Sequence, residues 1–181
     1  MGVLLSHIIV DASVARSVSD PAGNSTAIAC LTLARMLESK GCQTGALMTP
    51  MLHEEWKKHA PRIMTSWLAS MESRGRVRRE PDRPVRDLRD AIAIVKDGGI
   101  RTALEKDLHL SEGAIINALP VASRDDKQRR YLADLEGAYE RVGRIQWLNP
   151  ETSSPQDWGP WIESGCTDST VYVIGGGGGG A

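Results

Sequence analysis

Phenylalanine is absent from this chain of 181 residues, and its aromatic side chains are five tryptophans and three tyrosines. A core must therefore be built mostly from Leu, Ile, Val, Ala and Met. The three cysteines, Cys30, Cys42 and Cys166, are odd in number and widely spaced, with no CxxC pair. The four histidines, His7, His53, His59 and His109, show no zinc-ligand spacing, so a reduced, cytoplasmic protein without a zinc site is expected. No G-x-S-x-G occurs, which excludes nucleophile-elbow hydrolases. No apolar run approaches the ~20 residues of a membrane span, and no membrane partner is expected. The opening segment, residues 3–10, has no basic region and is interrupted by Ser6 and His7, so it reads as a short leader into a buried strand, not a signal peptide. Charge of one sign is lacking too: 22 Lys plus Arg against 23 Asp plus Glu leave a net charge of −1. That total, taken alone, counts against a nucleic-acid partner, but it does not say where the charges sit.

What is present is ordinary globular composition, 41% hydrophobic and 25% charged, at a length suited to one domain with a real core. Ile8-Ile9-Val10 reads as a buried strand that ends on Asp11. After a breaker group at residues 20–23, apolar side chains recur at helical spacing over 27–37. A second short strand is expected at 44–48, then a helix that Thr49 caps and Pro50 opens. Helices are further expected up to about residue 72, across Val85, Leu88, Ile92 and Val95 to a stop at Gly98-Gly99, over 107–118, and from 125 to about 142. Short strands are expected at 119–123 and 145–148. Strands alternating with helices predict an α/β fold whose parallel sheet is covered on both faces. Residues 1–165 are expected to form one domain and 166–181 a flexible tail, because six glycines at 175–180 cannot hold structure by themselves.

Acids at strand ends carry the chemistry. Side chains at the carboxyl ends of parallel strands share one crevice. Asp11 ends the first strand, Asp125 and Asp126 follow the strand at 119–123, and Asp107 stands at a helix start, where the dipole favours an anion. Carboxylates converging in one cleft repel one another by several kcal/mol unless a cation lies among them. Oxygen ligands without histidine point to Mg²⁺ or Mn²⁺, ions that clamp phosphate oxygens and activate water.

Ile9-Val10-Asp11-Ala12-Ser13-Val14-Ala15 resembles the opening of the PIN-domain family, whose VapC-type toxin members often read V-D-A-S-V-A. Residues 106–112, K-D-L-H-L-S-E, resemble the family's third-acid helix, and Ala122-Ser123-Arg124-Asp125-Asp126 resembles its strand followed by S-x-D. Leu52-His53-Glu54-Glu55-Trp56 is similar to the context of its second acid, with Glu55 the better match. The stretch from Trp147 to Trp161 is similar to the ending of one group of PIN-like bacterial proteins. The resemblance spans roughly residues 7–165. It implies a three-layer α/β/α PIN-like fold around a central, mainly parallel sheet, and a metal-dependent ribonuclease that cuts phosphodiesters with metal-activated water. Asp11, Glu55, Asp107 and Asp125 would hold Mg²⁺ or Mn²⁺, while Ser13 and Ser123 would orient carboxylates or water. RNA is the implied substrate, and an antitoxin protein the implied partner if the chain is a toxin. Glu54 remains open beside Glu55, and Asp126 beside Asp125. Gly113 departs from the alanine expected in the third-acid helix.

Other readings stand beside these. Ser123 also suits a helix cap, and Ser13 a bond to its own backbone. His109 lies two residues beyond Asp107, about 200° round a helix, and is read as structural or exposed. Trp56, Trp67 and Cys30 are read as core. Residues 74–89 hold seven arginines and three acids, a local charge of +4. Arg76, Arg78, Arg79 and Arg83 are the expected contacts to RNA phosphates, against a solvated face of local ion pairs. The apolar line Val85, Leu88, Ile92 and Val95 is either core or a homodimer interface. Phosphatase chemistry of the haloacid-dehalogenase type needs an acid where Ser13 stands. A catalytically inactive PIN-like scaffold that binds RNA or protein is the alternative to a nuclease.

Overall fold

The structure, a computed structural model, describes residues 6–19, 24–167 and 170–175. Two buried strands, β1 (Ser6–Val10) and β2 (Thr44–Met48), pair in parallel, with Ser6 opposite Thr44 and Ile9 opposite Leu47. Three shorter strands, β3 (Val77–Arg79), β4 (Val121–Ala122) and β5 (Trp147–Leu148), complete an all-parallel sheet of order β3-β2-β1-β4-β5. Helices cover both faces, so the fold is α/β with three layers. The order reverses between β1 and β4, and crevices outside the carboxyl ends of such strands are where doubly wound sheets bind ligands.

The helices follow their local signals. After β1 comes α1 (Ala12–Arg16), and Asn24 caps α2 (Ser25–Glu38) by accepting from Thr26 N and Ala27 N. Thr49 caps α3 (Pro50–His59), with proline at its first position. Next come α4 (Arg62–Ser73) and α5 (Arg86–Ala93). Gly98-Gly99 opens the next helix instead of closing the previous one: Asp97 Oδ1 accepts from Gly99 N and Ile100 N at 2.8 and 2.9 Å, starting α6 (Gly98–Lys106). Asp107 joins α6 to α7 (Leu108–Asn117), and α8 (Asp126–Leu135) and α9 (Pro155–Glu163) follow. The helix expected to reach residue 142 thus stops at Leu135, and a 3-10 segment, Glu140–Arg144, leads into β5.

Packing explains several sequence features. A Cβ on Gly113 would stand 3.2 Å from Ile9 Cδ1, so glycine lets α7 lie close against β1. Val85, Leu88 and Ile92 are buried in the core, which occupies their apolar line. Trp56, Trp67 and Cys30 are core residues; the Trp56 ring stacks on Trp67, and Trp56 Nε1 donates to Val10 O at 2.9 Å.

The body extends further than the expected boundary at 165. Cys166, Tyr172 and Ile174 are buried, Trp147 N donates to Tyr172 O at 2.7 Å, and Ile174 N donates to Ile145 O at 2.9 Å. Residues 170–175 therefore run antiparallel beside β5, through Val173 and Gln146, and the packed body reaches the first glycine, Gly175. The leader at 3–5, the breaker at 20–23 and the glycines at 176–180 lie outside the described residues. Among the described residues no helix is long and apolar enough to cross a membrane.

Candidate active site

The four expected acids come from four places and line one pocket. The register that sets Val10 against Ala122 also brings Asp11 N to Ala122 O at 2.9 Å, so Asp11 sits beside the start of the β4–α8 connection. Glu55 reaches the same place from α3, Asp107 from the α6–α7 junction and Asp125 from the N-cap of α8. A cavity of about 140 Å³ is lined by all four, together with Ala12, Ser13, Arg16, His59 and Lys106.

Asp11 is buried at 7% exposure. Ser123 Oγ donates to its Oδ2 at 2.7 Å, and Ser13 Oγ donates to the same oxygen. The two hydroxyls accept in turn from backbone: Asp125 N reaches Ser123 Oγ, and Arg124 N reaches Ser13 Oγ, both at 3.1 Å. One carboxylate thus ties β1 to the turn that carries Asp125. Arg124 secures that turn from outside, with Nε and Nη2 on Glu151 Oε2 at 3.0 and 2.9 Å and Nη1 on Ser17 Oγ at 2.7 Å.

The doublets separate cleanly. Asp125 lines the pocket while its Oδ1 caps α8 through Gln128 N at 2.8 Å; Asp126 instead accepts from Asn149 Nδ2 at 3.0 Å. Glu55 lines the pocket, whereas exposed Glu54 pairs with Lys57 at 2.7 Å. Glu55 Oε2 also lies 3.5 Å from Nε2 of His109. That histidine is buried on α7, and neither ring nitrogen has a hydrogen-bond partner among the described residues.

The pocket's electrostatics show in Asp107. Burial pushes its carboxyl up to about 6, Lys106 opposes that shift, and Asp11, Glu55 and Asp125 reinforce it. Four carboxylates that feel one another in a partly buried pocket form a donor set suited to a hard divalent cation. Among the described residues, no group of three or more His, Cys, Asp or Glu side chains stands close enough together to hold a metal ion.

The Arg-rich segment divides. Arg76 is buried, and its guanidinium donates to the carbonyls of Leu37, Cys42 and Thr44 at 3.1, 2.8 and 2.9 Å. This corrects its expected place among the phosphate contacts: it is buried and braces the β2 side of the fold with its guanidinium committed to main-chain carbonyls. Arg78 bonds Asn117 Oδ1 at 2.9 Å and lies 3.4 Å from Glu80, while Arg79 pairs with Glu72. Arg83 is exposed and has no ion pair among the described residues. Sequence reasoning passed over Arg16, His59 and Lys106 at the pocket. His59 carried a legible signal, because it lies four residues beyond Glu55 on one helix and so shares its face.

Fold and site together define an α/β protein with an acidic pocket at the carboxyl edge of its sheet, beside the switch point. No family model, curated protein or solved structure matches the chain.

Proposed function

We propose that this protein is a metal-dependent ribonuclease of PIN-like type, with Asp11, Glu55, Asp107 and Asp125 as the ligands of Mg²⁺ or Mn²⁺. The observation that carries the reading is the convergence of these four acids, each from a different segment, on one pocket beside the β1/β4 switch point. A divalent ion bound there would neutralise the acids, polarise a phosphodiester oxygen and activate water. The chain's own groups do the positioning. Ser13 and Ser123 fix the Asp11 carboxylate through Oδ2, the α8 cap fixes Asp125, and His109 lies against Glu55. The similarity of residues 9–15, 106–112 and 122–126 to PIN-domain motifs supports RNA as substrate and a toxin role held in check by an antitoxin protein.

The test is incubation with mixed RNA and DNA in Mg²⁺, in Mn²⁺ and in EDTA, beside Asp11→Asn. RNA cleavage in either metal, abolished by EDTA and by the substitution, is expected. Intact RNA in both metals, or undiminished cutting by Asp11→Asn, refutes the reading; binding without cutting would identify the inactive PIN-like scaffold.

A further inference from the structure

Three basic side chains come to the acidic pocket from three helices. Arg16 closes α1, His59 closes α3 and Lys106 closes α6, each in the last turn, and all three line the pocket beside the four acids. A helix C-terminus by itself favours a cation. That preference accounts for a basic residue on each helix; it does not account for three helices ending on the same 140 Å³ cavity.

These side chains are also uncommitted. All three residues are exposed, and among the described residues neither the Arg16 guanidinium nor the His59 ring has a partner. Lys106 approaches Asp107 Oδ2 only to 3.9 Å, with its side chain 75% exposed, a contact that solvent largely screens. In the Arg-rich segment, by contrast, Arg74, Arg78, Arg79 and Arg89 each have a carboxylate partner. Four acids against Arg16 and Lys106 leave the pocket with two negative charges in excess, which one divalent ion would cancel. A pocket brought to neutrality no longer repels a phosphate, and the exposed N–H groups of Arg16 and Lys106 can then donate to its oxygens.

We infer that Arg16, His59 and Lys106 form the phosphate grip of this pocket, holding the backbone of a polynucleotide across the four acids. The inference rests on the reading of the pocket as a phosphodiesterase site and adds which side chains hold its substrate. Guanidinium, imidazole and ammonium N–H groups donate to phosphate oxygens, and the grip reads phosphate without reading bases.

The experiment is fluorescence anisotropy of a short single-stranded RNA, and of DNA of the same sequence, in Ca²⁺ over a salt series, with probe integrity checked on a gel. Arg16→Gln and Lys106→Gln are each expected to weaken binding about fivefold and to flatten the slope of log affinity on log salt by about 0.7. His59→Ala is expected to weaken binding as well. Arg144→Gln, paired with Glu140 at the opposite edge of the sheet, should bind as wild type, and all variants should melt with it. Equal binding to RNA and DNA supports a grip on phosphate alone, and tighter binding to RNA supports one that also contacts ribose. Wild-type affinity and slope in both charge variants overturn the grip, while RNA cleavage by those variants leaves the nuclease reading standing. Flattened slopes in a chain that never cuts RNA overturn the nuclease reading and keep the grip. No binding to either probe overturns both.

Discussion

Ser13 and Ser123 reach Oδ2 of Asp11 from segments separated by 110 residues, and each hydroxyl also accepts a backbone N–H from the turn around Asp125. Removing Ser123 therefore loosens two acids at once. On the proposed function, in which Asp11 holds a metal ion, Ser123→Ala is expected to lower Mn²⁺ affinity, read by calorimetry, and cleavage rate by about 10–100-fold, the usual cost of losing a partner behind a metal ligand. Arg76 answers to stability instead. Arg76→Met removes the guanidinium donor from three buried carbonyl oxygens, of which, among the described residues, only Thr44 O keeps another, the Cys42 thiol, and should cost about 3 kcal/mol in urea denaturation, with RNA affinity per folded molecule unchanged. The places of Asp11 and Asp125 were legible because a strand end and a helix cap are written in neighbouring residues, whereas Glu55 was picked out by the resemblance alone. The burial of Arg76 was not, because its partners are main-chain carbonyls that no side-chain pattern encodes.

At the level of elements, the close approach of β2 to β3 depends on Gly45. A Cβ there would lie 2.6 Å from Arg76 O and 2.9 Å from the His7 ring, and the carbonyl belongs to backbone that cannot swing aside. Gly45→Ala should lower stability by about 1–3 kcal/mol and speed hydrogen exchange in β3 ahead of β1, as measured by mass spectrometry. The strand β3 itself escaped the sequence reading because its three residues, V-R-R, look like part of a basic run. What makes them a strand is pairing with Ala46, Leu47 and Met48 of β2, a tertiary fact that overrides local composition. The start of α6 was misread for a related reason: Gly-Gly commonly ends a helix, and here the cap at Asp97 decides otherwise. Gly113 shows the reverse case, an unexpected residue that the packing of α7 on Ile9 explains.

For the molecule as a whole, the acidic pocket sets a pH dependence. The Asp107 carboxyl is raised from 3.8 to about 6 on folding, first by burial and then by the other three acids. The folded chain therefore binds the extra proton. The contribution to stability is complete below about 3.8 and is lost as pH rises through about 6. Metal-free protein should melt at progressively lower temperature across that window, and Asp107→Asn should remove this part of the fall. A divalent ion needs the deprotonated acid, so Mg²⁺ or Mn²⁺ should raise the melting temperature more above the window than below it. Differential scanning calorimetry in chelator and in metal reads both effects; a wild-type profile as flat as that of the variant would refute the coupling. Alternation of strands and helices made the parallel sheet legible at this scale. The order β3-β2-β1-β4-β5 was not legible, because which strand neighbours β1 depends on helix packing summed over the whole chain.

The bond from Ser123 to Asp11 spans 112 residues, and this has a consequence during synthesis. A ribosome adding about 5–20 residues per second passes Glu55 about 3–10 s before it reaches Asp107, so Asp11 and Glu55 exist while Asp107, Asp125 and the segment beside β5 are still untranslated. A nascent chain in that interval holds half of the acids and no completed pocket. An activity built on this site starts only once β4, β5 and the turn that carries Asp125 have docked against β1.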